Sequence, residues 1–99
     1  MKRREGFEKL EEEIVKEKAA ALGRAGERLD AALEEARALG LALDAERDPE
    51  RRSARLREYE AARRRAEFAR MMLLVQREAI GLRHHRLVDQ QFPEPPRRA

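Results

Sequence analysis

Ala45-Glu46-Arg47-Asp48-Pro49-Glu50 is the sharpest punctuation in this chain, and its reading decides the fold. An aspartate side chain accepts hydrogen bonds from the free N–H groups of a first helical turn, and proline is preorganised for the first helical position. Glu50 adds a favourable charge at the positive end of the helix dipole. A helix therefore starts at 48–49, and its apolar pattern continues to about Gln90–Gln91. There Phe92-Pro93-Glu94-Pro95-Pro96-Arg97-Arg98 stops it, because proline lacks an N–H and restricts the residue before it.

Upstream of the punctuation, apolar residues fall at Phe7, Leu10 and Ile14, then at Leu22, Ala25, Leu29, Ala32, Ala36, Leu39 and Leu43. From Leu22 on, the spacing alternates three and four, which makes a narrow helical seam. Between Ile14 and Leu22 the phase slips through Lys16-Glu17-Lys18. The expected organisation is a basic arm over 1–5, helix 1 over about 6–46, a turn at 47–48, helix 2 over about 49–91 and a Pro/Arg-rich tail over 92–99. Two helices of about 40 residues, each ~60 Å long, joined by a tight turn fold back as an antiparallel hairpin. The fold class is all-α and coiled-coil-like.

Composition agrees with that class. Of 99 residues, 43% are charged and only 4% aromatic, which excludes a broad globular core. The apolar fraction of 41%, regularly placed, excludes a wholly disordered chain. Arg outnumbers Lys 19 to 4, read as the codon bias of a GC-rich bacterial genome. Residues 1–48 carry a net −3 and residues 49–99 a net +6, so packing the two halves together neutralises charge. There is no cysteine, hence no disulfide framework. Charged residues follow the basic start where a signal peptide needs an apolar core, and no apolar run approaches a membrane span, so the expected location is cytoplasmic.

With the turn at 47–48, residue n of helix 1 sits beside roughly residue 96 − n of helix 2. This register sets Ala19 to Gly23 opposite Met71 to Val75, and it gives Gly23 and Gly26 a reason in close approach. Glu11, Glu12, Glu13 and Glu17 then face Arg83 and Arg86 as a solvated acidic surface. On helix 2, Tyr59, Ala62, Ala66, Ala69, Leu73, Ile80 and Leu87 lie within about 40° of one line. They form the hairpin seam with Leu22, Leu29, Leu33, Ala36 and Leu43 of helix 1.

A second stripe is left over. Met71 to Val75 is five consecutive apolar residues, which go all the way round a helix. Phe68, Met71, Met72, Val75, Ala79 and Leu82 cluster away from the seam and need another partner. Two hairpins burying this stripe against each other make a C2 homodimer, a four-helix bundle; a different helical protein is the other occupant. The alternative architecture is a three-helix arrangement in which helix 1 breaks near Gly23–Gly26 and both halves pack on helix 2.

The functional expectation is a non-enzymatic protein–protein interaction or assembly module. The first alternative is a small nucleic-acid-binding protein using Arg51, Arg52, Arg55, Arg63, Arg64 and Arg65. These wrap around the helix with glutamates interleaved and few aromatics for base stacking, which argues for a solvated face instead. The second alternative is a small all-helical enzyme. No catalytic residue, cofactor or metal ligand set is expected: His84 and His85 are adjacent and point about 100° apart on a helix, with no carboxylate-histidine constellation around them. The tail carries a polyproline-type segment suited to a groove.

Overall fold

A computed structural model describes the backbone of Lys2–Ala99 and side chains from Glu5 onward. Three helices follow one another: α1 Lys2–Ala45, α2 Pro49–Ala79 and α3 Arg86–Gln91. Helices make up 82% of the chain, and none of the described residues is in a strand. The molecule is an all-α helical hairpin, with α1 and α2 packed against each other along a rod of 73 × 21 × 14 Å. Of the basic arm expected over 1–5, Met1 lies outside the described residues, and the backbone from Lys2 already belongs to α1. No described helix is long and apolar enough to cross a membrane.

The turn forms as its residues dictate. Asp48 caps α2 with an extended backbone, and its carboxylate accepts from the Arg51 N–H at 3.0 Å. Pro49 takes the first helical position. Glu46, just past the end of α1, adds a clamp across the turn: its half-buried carboxylate pairs with Arg51 at 2.9 Å and Arg55 at 3.2 Å.

Ala25, Leu29, Ala36 and Leu43 of α1 are buried against Tyr59, Ala62, Ala66 and Leu73 of α2. Spacings of three, four and seven keep these on facing stripes, and the alanines let the axes approach closely. Leu22, Leu33 and Ala69 are half-buried beside them. α1 runs unbroken through Gly23 and Gly26, so the broken three-helix arrangement is not adopted.

Three expectations are corrected. First, helix 2 ends at Ala79, not near 91. The Gly81 N–H bonds the Glu78 carbonyl at 3.0 Å, the Leu82 N–H bonds the Arg77 carbonyl at 2.9 Å, and Gly81 has φ +91°. That is the glycine-dependent stop in which a left-handed residue satisfies the last free carbonyls. Ile80 and Leu87, expected in the seam, are consequently exposed, because the helical phase that placed them there stops at Ala79. Val88 of α3 enters the core instead, against Ala25, Leu29 and Leu73.

Second, the register is displaced by about one turn. Glu35 pairs with Arg65 at 2.7 Å, and the Gly40 backbone faces the Tyr59 ring. Helical side chains lean toward their own N-terminus, away from the turn on α1 and toward it on α2, so facing positions are offset in just this sense. Leu73 accordingly shares its core cluster with Ala25 and Leu29, and of the Ala19–Gly23 stretch Leu22 packs against that cluster.

Third, the glycine that meets a neighbour is Gly40. A Cβ there would lie 2.9 Å from Tyr59 Cε1, whereas at Gly23 and Gly26 it would meet nothing within 4 Å.

Candidate interaction site

The early stop of α2 leaves the open end of the hairpin asymmetric. α1 continues past it, and every described residue from Glu5 to Ala20 is exposed. On that overhang Phe7, Leu10, Ile14 and Val15 are 40–65% exposed, an apolar surface with no facing helix. The Phe7–Ile14 spacing is legible in the sequence, but a helix 2 running to about 91 would have covered it. Glu11, Glu12, Glu13 and Glu17 stand on the same overhang, because the helix expected to carry Arg83 and Arg86 opposite them ends at Ala79.

The second stripe of α2 lies toward the same end. Phe68 (61%), Met71 (52%) and Val75 (50%) are exposed, as is Ala79, and Met72 is half-buried. Spacings of three and four put these residues on one helical face. Phe68 and Met72 also line a shallow depression with Ala25, Arg28 and Ala69. Leu82 is exposed too, but it follows Gly81 and so does not continue that face.

The arginines of α2 are largely engaged within the chain. Arg51 and Arg55 hold Glu46, and Arg65 holds Glu35. Arg52, Arg63 and Arg70 instead reach the C-terminal tail, which leaves α3 and runs back along the hairpin toward the turn. Arg70 donates to the Phe92 carbonyl at 3.2 Å and pairs with Asp89. Arg63 donates to the Pro95 carbonyl at 3.3 Å, and Arg52 to the main-chain oxygen of Ala99 at 3.3 Å. Between them the Tyr59 hydroxyl donates to the Pro96 carbonyl at 2.5 Å. Arg98 sits 5.4 Å from the centre of the Tyr59 ring and meets Asp44 at 2.5 Å. Its guanidinium is held above its ordinary pKa range by Tyr59 and by Asp44. Arg64 is exposed. A cleft of about 450 Å³ lies beside the tail, walled by Leu33, Arg37 and Leu41 of α1 and by Tyr59.

The histidines take up local roles at the end of α2. His84 is exposed, while His85 Nε2 lies 3.0 Å from Glu78 and Arg77 donates toward His85 Nδ1 at 3.4 Å. No group of three or more potential metal-ligating side chains occurs among the described residues. No family model matches the chain, and neither do any curated protein or solved structure.

Proposed function

We propose that this chain is a non-enzymatic assembly module that pairs with a second copy of itself through the open end of the hairpin. The observation that carries this reading is the unpartnered overhang of α1, with Phe7, Leu10, Ile14 and Val15 exposed near the exposed Phe68–Met71–Val75 face of α2. In a two-fold arrangement the overhang of each copy lies along the α2 face of the other, forming a four-helix bundle over the overlap. Glu8, Glu11, Glu12 and Glu13 on the overhang are complementary in charge to the exposed Arg64 and Arg83.

Seven apolar side chains, at ~1.5–3 kcal/mol each, give roughly 10–20 kcal/mol as an upper figure, against an association cost of ~4–15 kcal/mol. Using the overhang as well as the α2 face brings the reading into the range of a stable dimer. Another helical protein with an apolar face is the alternative occupant. The cytoplasmic, bacterial setting expected from composition belongs to this same proposal.

Light scattering on the purified chain tests it. A dimer at micromolar concentration that becomes monomeric in Ile14→Glu and Val75→Glu supports the reading, and a wild-type monomer at high micromolar concentration overturns it. The nucleic-acid alternative has less support, because Arg51, Arg52, Arg55, Arg63 and Arg65 already face acceptors within the chain. Absence of binding to duplex or single-stranded DNA or RNA even at low salt eliminates it.

A further inference from the structure

The tail lies on a surface of the hairpin separate from the open end. Arg52, Tyr59, Arg63 and Arg70 recur at intervals of seven, four and seven, so they fall on one face of α2 beside the seam. Tyr59, Arg63 and Arg70 donate hydrogen bonds to the peptide carbonyls of Pro96, Pro95 and Phe92, and Arg52 donates to the main-chain oxygen of Ala99. Arginine side chains carry donors and no acceptor, and a proline residue offers a carbonyl and no N–H. Pro93, Pro95 and Pro96 make the tail acceptor-rich and donor-poor. A donor stripe facing an acceptor-rich extended backbone is chemically complementary, and it reads conformation rather than side chains. Specificity enters at one end, where Arg98 lies over the Tyr59 ring and on Asp44. Gly40, by lacking a side chain, makes the space in which that ring sits.

We propose that this groove is a binding site for extended proline-rich segments carrying an arginine two residues after a Pro-Pro pair, and that the chain's own tail is its displaceable occupant. The fit of the tail is incomplete. Arg98 Nε is buried without an acceptor, and the cleft beside Pro95 and Pro96 is open. Most of its bonds go to main-chain carbonyls that any polyproline-type chain presents equally. A partner segment of this chemistry, with side chains that enter the cleft, replaces the tail without new backbone geometry.

The chain reports on its own groove, because Tyr59 is its only tyrosine and it has no tryptophan. Acrylamide quenching of Tyr59 fluorescence is measured in the full chain and in full-length Arg98→Glu, with helicity checked by circular dichroism. The wild type is protected and Arg98→Glu is readily quenched. Asp44→Arg releases the tail from the other side, and Asp44→Arg with Arg98→Asp restores protection. Acetylated peptide FPEPPRRA, labelled with fluorescein, then binds Arg98→Glu saturably and restores protection. It binds the wild type about tenfold more weakly or worse, because the tethered tail competes. A peptide with its three prolines replaced by alanine binds neither. Equal quenching of wild type and both single variants overturns tail docking, and equal binding of the proline and alanine peptides overturns the recognition chemistry. Protection found only in a dimeric fraction assigns the groove to a second copy's tail and overturns occupancy in cis.

Discussion

Replacing Gly40 by alanine pits helix propensity against packing, and the structure predicts which wins. An alanine in a helix interior stabilises by about 1 kcal/mol relative to glycine. At Gly40, however, the new methyl would stand 2.9 Å from Tyr59 Cε1, closer than carbon atoms pack. The ring is 1% exposed, its hydroxyl is bonded to Pro96 and Arg98 covers it, so it has little room to retreat. Inserting a methyl into such a site costs about 1–3 kcal/mol. Gly40→Ala is therefore expected to lower stability by roughly 0–2 kcal/mol. Gly26→Ala in the same helix, with nothing within 4 Å, keeps the full propensity gain. Chemical denaturation followed by helical circular dichroism should separate the two variants by about 1–3 kcal/mol, and thermal midpoints by several degrees. Tyr59 fluorescence should change in Gly40→Ala and not in Gly26→Ala. If both variants are stabilised alike, the close approach of Gly40 and Tyr59 is refuted, and with it the seating of the ring.

Three further outcomes follow from individual contacts. Gly81→Ala places a side chain at φ +91° and should cost about 1–2 kcal/mol in denaturation experiments; an unchanged midpoint would mean α2 does not end in this turn. Glu46→Ala removes the carboxylate shared by Arg51 and Arg55 and should cost about 1 kcal/mol at low salt and less at high salt. A loss independent of salt would contradict an ionic clamp. The Glu34 carboxyl, hydrogen-bonded by Arg37 and stabilised by its charge, should titrate below the ordinary glutamate range in carboxyl NMR. Its folded pKa is depressed, so the contribution of this pair is present at neutral pH and is lost as pH falls through that lowered value.

The hairpin was legible because its signals are local. The capping aspartate, the proline and the three-four spacing act within a turn or two, and Leu29, Ala36, Leu43, Tyr59, Ala62, Ala66 and Leu73 occupy the seam their spacing assigns. The end of α2 was missed although Gly81 signals it. Apolar residues persist through Leu82 and Leu87 and imitate a continuing helix, while the glycine stop is a backbone event with no apolar signature. That single boundary moved Ile80 and Leu87 out of the seam, brought Val88 in and uncovered the α1 overhang.

Sequence by itself determined that the chain is two long antiparallel helices turning at Asp48–Pro49, and that an apolar stripe on the second helix is surplus to their seam. Periodicity and capping are properties of neighbouring residues, so one dimension carries them. Tertiary structure decided which residues face one another. The lean of side chains sets the register, and that register places Gly40, not Gly23 or Gly26, against an aromatic ring. It also decided that the tail returns to the hairpin, joining Asp44 to Arg98 across the chain. Contacts between residues so far apart in sequence depend on where α2 stops, and no local pattern encodes them.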